Sequence, residues 1–77
     1  MSGWGAHKVK QALIDHGIPE RVVRVFFKEE VDGEVLLRSP PCLTREFMMG
    51  HPKWKLDEHD VDLFRPVYRK LTGRELQ

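Results

Sequence analysis

Residues 26–37 read Phe26-Phe27-Lys28-Glu29-Glu30-Val31-Asp32-Gly33-Glu34-Val35-Leu36-Leu37. An apolar pattern ends, an Asp-Gly pair interrupts, and a second apolar turn begins. Asp favours such a break because its carboxylate binds nearby backbone N–H groups, and Gly because it carries no Cβ. Asp32-Gly33 therefore separates two elements, with Val35, Leu36 and Leu37 forming a short apolar turn after it. Before it, Val22, Val23, Phe26 and Phe27 supply a broad apolar face. The run Val22 to Phe27, in which only Arg24 is polar, also reads as a strand on β-propensity. Its length and its start at Pro19 favour a helix, because a proline at the first helical position gives up an N–H that has no partner there. Glu20 then falls in the first turn, where the helix dipole favours an acid.

The pattern extends outward in both directions. Upstream, Val9, Ala12, Leu13 and His16 follow spacings of three and four, predicting a short amphipathic helix with Gly17 at its C-terminal cap. Downstream, Ser39-Pro40-Pro41 is a rigid stop, and Thr44 caps a brief helix carrying Phe47 and Met48. Gly50-His51-Pro52 is the next break. In the last and longest element, Asp57 is the candidate N-cap with Asp60 three positions on, and Asp60, Leu63, Phe64, Val67 and Leu71 share one stripe. Pro66 falls inside that stripe and lacks the N–H that would bond to Asp62, which predicts a kink or a helix starting near Asp62. Thr72-Gly73 follows. The sum is an all-α, five-helix bundle with two very short helices, a longer C-terminal helix and no sheet.

Composition narrows the function classes. The 77 residues are room for one small domain, residues 1–77 with a core of about 4–72. Thirteen Lys and Arg face twelve Asp and Glu, a net charge of +1, so the chain does not read as a disordered charged tail. The single cysteine, Cys42, excludes an internal disulfide framework. No apolar run reaches the roughly 18 to 20 residues that span a bilayer. No signal peptide shows in Met1-Ser2-Gly3-Trp4-Gly5, and the expected location is cytoplasmic or nuclear.

The order of these elements resembles the sterile alpha motif (SAM) domain. Trp4-x4-Val9-x3-Leu13 looks like its opening helix. Gly17-Ile18-Pro19, then Phe26-x4-Val31-Asp32-Gly33-x2-Leu36-Leu37, is similar to its middle signature. Leu43-Thr44-Arg45-Glu46-Phe47 resembles the next piece, and Leu63 to Leu71 the final helix, so the resemblance covers roughly Trp4 to Leu71. It differs before the last helix, where Asp57-Glu58 is acidic and the family is basic. The resemblance implies a non-catalytic domain that localises or assembles a larger protein by binding, as a scaffold or signalling module, and it implies that Trp4 is buried.

Candidate chemistry is sparse. His7, His16, His51, His59 and Cys42 lack the close spacings of a zinc module, so no metal is expected. Cys42 acts as a nucleophile only with a base beside it, and reads as a partly buried structural thiol. Glu29, Glu30, Asp32 and Glu34 lack the oxygen-rich loop of a calcium hand. The glycines are scattered singly, so no phosphate cradle is present. The chain reads as neither an enzyme nor a holder of cofactors.

Charge is more informative, because near-neutrality conceals blocks of alternating sign. Lys28–Leu37 carries a net of −3, Arg38–Lys55 +3, Leu56–Asp62 −4 and Leu63–Gln77 +3. Blocks of opposite sign suit surfaces that meet a complement on another copy or a partner. In SAM domains a middle surface, often acidic, docks on the start of the final helix of the next copy, a head-to-tail contact that builds open chains. Carried over, the middle surface is Glu29, Glu30, Asp32 and Glu34, and the end-helix surface is Lys53, Trp54, Lys55, His59 and Arg65. Trp54, between two lysines, reads either as an exposed interface anchor or as a core residue under the final helix. The expected partner is another SAM domain, on the same or a different protein. The alternative is RNA, bound by Lys53, Lys55, Arg65, Arg69 and Lys70, against which the acidic run Asp57–Asp62 would repel phosphate. A membrane role is not expected, because the final helix mixes acids into its polar face.

Overall fold

The computed structural model describes residues 1–77. It contains five helices: α1 Ala6–Asp15, α2 Glu20–Lys28, α3 Gly33–Leu37, α4 Arg45–Gly50 and α5 Glu58–Thr72. There is no strand, so the Val22–Phe27 run resolves as helix. Burial explains why: Val22, Val23 and Phe26 are sealed at helical spacing, while Arg24 faces water. The bundle is consistent with a SAM-like fold, and α5 is the longest of its helices.

Helix ends are set by a few chemical devices. Gly17, at φ +80°, ends α1 with a Schellman motif: its N–H donates to the Ile14 carbonyl, and the Ile18 N–H donates to the Leu13 carbonyl. The apolar pair that accompanies this motif, Leu13 and Ile18, is buried. α2 ends the same way, with Glu30 N–H donating to Phe27 and Val31 N–H to Phe26. Here the left-handed position is filled by Glu30, at φ 55°, not by glycine. Pro19 lies one residue before the helix, as the N-cap of α2. Asp32 caps α3 by accepting from Val35 N–H, and Thr44 caps α4 by accepting from Phe47 N–H. Gly33 has no room for a Cβ, because the Met1 carbonyl and the Trp4 side chain cross it while its N–H donates to the Trp4 carbonyl. That crossing gives the Asp-Gly sequence a packing reason as well as a turn reason.

The core is aromatic at its centre. Phe26 meets the rings of Trp54 and Phe64 at 4.9 and 4.8 Å, and Phe64 continues to Tyr68 at 5.7 Å. These tilted and edge-to-face geometries match the quadrupoles of the rings. Leu13, Leu36, Met48 and Val61 fill around them. Each fully sealed apolar side chain contributes roughly 1.5–3 kcal/mol over its exposed state.

Five expectations need correction. Trp54 is 5% exposed and packed on Phe26 and Phe47, so it is a core residue and not a surface anchor. α5 starts at Glu58 and not near Asp62, and its helical run continues through Pro66. Pro66 and Asp62 are both exposed, so the carbonyl left without its intrahelical donor lies on the solvent side, where water satisfies it. Leu63 is 37% exposed and Leu71 half-buried, so the lower edge of the expected stripe lies at the rim. Trp4 is half-buried against the core, and His16 is exposed with Nδ1 2.8 Å from the Ala12 carbonyl oxygen.

Candidate interaction surfaces

The middle surface is built by the end of α2, its link to α3 and the first turn of α3. Glu30 and Glu34 are exposed, and Glu29 and Asp32 are half-buried. Asp32 spends one carboxylate oxygen on the α3 cap. None of the four makes an ion pair within the molecule. Glu29 also edges an open apolar groove of about 330 Å³, whose floor includes Val31, Val35, Phe47 and Trp54.

The acids at the start of α5 have a different fate. Asp57 and Asp60 form a reciprocal capping box: the Asp60 N–H donates to Asp57 at 2.8 Å, and the Asp57 N–H donates to Asp60 at 3.3 Å. Asp60 is 1% exposed, and the Arg21 guanidinium closes on it with both arms. That fork holds the Asp60 carboxyl below the ordinary range and raises Arg21. Glu58 pairs with Arg45 at 2.8 Å, while Asp62 lies 4.0 Å from Arg45 and 3.9 Å from Arg65. Three of the four acids in this block are thus answered by arginines, and Asp57 by a backbone N–H.

Of the end-helix residues, Lys53, Lys55, His59 and Arg65 are exposed and Trp54 is not. Lys53 and Lys55 make no ion pair, whereas Arg65 is shared with Asp62. Lys55 has φ 44°, so it and Glu30 are the two non-glycine residues with positive φ. Among the remaining cations of the nucleic-acid alternative, Arg69 pairs with Glu75 at 3.1 Å.

Among residues with metal-ligand chemistry, one cluster comes together, at the start of α5. Asp57, His59 and Asp60 bring ligand-type atoms within 4.8 Å, but both carboxylates are committed to the capping box and to Arg21. Cys42 is half-buried, with its thiol directed to the Val35 carbonyl at 3.7 Å and Arg38 at 4.0 Å, neither of which is a base. No helix is long and apolar enough to cross a membrane. Sequence reasoning missed Arg21, although Asp60 in an apolar stripe was itself a signal, because a buried carboxylate demands a cation. It also missed Ile14, whose exposure depends on how α1 lies against α2.

No protein-family model, curated protein or solved structure matches the chain. The fold and these surfaces are therefore the basis for a functional reading.

Proposed function

We propose that this is a SAM-type protein-interaction domain, acting by binding, whose acidic middle surface docks on the basic face of another SAM-like domain. The observation that carries the reading is the lack of any internal ion pair for Glu29, Glu30, Asp32 and Glu34, of which only Asp32 has a side-chain hydrogen bond, to the α3 cap. In the same molecule the α5 acids are matched with Arg21, Arg45 and Arg65. Unanswered charge of one sign steers encounter with the opposite sign and rejects wrong partners. The left-handed backbone at Glu30 adds weight, since non-glycine residues held in that region concentrate at functional sites. Lys53, Lys55, His59 and Arg65 supply the basic half at the end helix, without Trp54. The domain works in the cytoplasm or nucleus as part of a larger protein, localising or assembling it through this contact. For RNA, Arg69 is paired with Glu75, and the acidic run Asp57–Asp62 lies in the chain between Lys55 and Arg65, which disfavours a phosphate-binding role.

Charge reversal tests the reading. Glu30→Lys is expected to weaken association with a second copy or another SAM-like domain by about tenfold or more, and Lys55→Glu to weaken association with a different SAM-like domain to the same degree, measured by sedimentation across concentration, with the thermal melt little changed. Association unaltered in both variants sinks the charge-pair mechanism. A salt-sensitive mobility shift with an RNA hairpin, lost in Lys55→Glu, would move the assignment to nucleic acid.

A further inference from the structure

Ile14 is the most exposed large apolar side chain of the molecule, at 47%. It stands one turn after Lys10 on α1, and with Ile18 and Val23 it lines an open groove of about 450 Å³ against α2. The charged edges of that groove are Lys10, Arg24 and Glu20, of which Arg24 and Glu20 pair with each other at 3.1 Å. Lys28 extends the row one turn beyond Arg24, and neither Lys10 nor Lys28 has an ion pair. This face therefore presents an aliphatic knob flanked by cations.

The groove beside Glu29 is its converse. It is an apolar hollow over Val31, Val35, Phe47 and Trp54, with Glu29 and Arg38 at its edge. Glu30 and Glu34, both exposed, precede the lining residues Val31 and Val35 in the chain. We propose that Ile14 of one copy enters this hollow on a second copy, with the unpaired Lys10 and Lys28 facing Glu29, Glu30 and Glu34. The contact joins two different faces, so it is heterologous and propagates into an open chain. The inference rests on the acidic middle surface proposed above and gives it a different cationic counterpart when the partner is a second copy. Burying an aliphatic side chain inside a ring of charge complementarity supplies both affinity and register. Nucleic acid fits the α1–α2 face less well. Lys10 already lies over the Phe27 ring at 4.6 Å and His7 meets it at 4.9 Å, so no free platform remains for base stacking.

The test uses variants of the whole chain and sedimentation across concentration. Ile14→Glu and Lys10→Glu on one side, and Glu29→Lys on the other, are each expected to weaken self-association by about tenfold or more, while Lys55→Glu leaves it intact. An equimolar mixture of Ile14→Glu with Glu29→Lys retains one working junction, so it should form a 1:1 dimer and grow no further. Ile14 is exposed and Lys10 half-buried over the Phe27 ring, and a cooperative thermal melt of each variant checks that it is folded. A strictly monomeric wild type overturns the proposal, as does a mixture that stays monomeric. Loss of association in Lys55→Glu but not in Lys10→Glu also overturns it while leaving the end-helix reading standing. Insensitivity to both Glu29→Lys and Glu30→Lys removes the acidic surface itself.

Discussion

Asp60 shows how one residue can join two elements. Its carboxylate closes the α5 capping box and receives the Arg21 fork from α2, so a single buried anion fixes where α5 starts and how it meets α2. A buried carboxylate is tolerated only when its oxygens are satisfied, and here Arg21 and the Asp57 N–H satisfy them. Asp60→Asn keeps the shape but removes the charge, and is expected to cost about 1–3 kcal/mol, seen as a lower urea midpoint at neutral pH. Because the folded carboxyl titrates below its unfolded value, its contribution is complete above the unfolded pKa of about 3.9. It is lost as pH falls through the folded value. The wild type should therefore lose part of its margin over Asp60→Asn below about pH 4. A gap between the two that stays constant down to acid unfolding would show that Asp60 acts by shape alone. Asp60 was legible from sequence as a member of the α5 stripe and as the third residue after the cap. Arg21 was not, because a pairing across 39 residues follows from the approach of α2 to α5, which no local spacing encodes.

At the scale of elements, the sequence was most legible where a local device ends a helix. Gly17, Asp32, Thr44 and Asp57 all stand where capping chemistry puts them. It was least legible where tertiary packing overrides a local rule, and Pro66 is the main case. A proline in a helix interior removes one hydrogen bond and crowds the preceding turn, at a cost of about 3 kcal/mol. α5 nevertheless stays continuous. Its inner face, with Val61, Phe64, Val67 and Tyr68, is sealed on both sides of the proline, while Pro66 itself faces water. Packing on that face outweighs the defect on the other. Pro66→Ala restores the N–H that reaches the Asp62 carbonyl, and the loss of a rigid residue from the unfolded chain returns roughly 0.4–1 kcal/mol of the gain. The variant should be more stable by about 1–2 kcal/mol, which for a domain of this size raises Tm by roughly 4–8 °C per kcal/mol. An unchanged or lower Tm would mean that the helix bends at Pro66 and that the bend is required by the packing.

At the scale of the whole molecule, the charge blocks of the sequence survive folding unequally. The most acidic block, at the start of α5, is largely consumed by Arg21, Arg45 and Arg65. The weaker block, at the end of α2, makes no ion pair, so net charge along the sequence does not by itself show which block stays unpaired. Trp54 shows the same limit: two flanking lysines point outward while the ring between them completes the aromatic centre. Glu30 lies where stability and assembly pull apart. Its backbone is left-handed at the helix end, a position for which glycine is favoured, and an L-residue there costs roughly 1–2 kcal/mol. Glu30→Gly should remove that strain, less roughly 0.4–1 kcal/mol of added unfolded-chain freedom, and so leave the monomer slightly more stable. It also deletes an unpaired acid from the middle surface, so association should weaken. The loss should shrink as salt rises from about 0.05 to about 0.5 M, because exposed charges are increasingly screened. A higher Tm together with weaker, salt-dependent sedimentation would identify Glu30 as a residue whose side chain serves contact at the expense of the fold. A lower Tm with unchanged association would assign Glu30 to the fold and return the acidic surface to ordinary solvation.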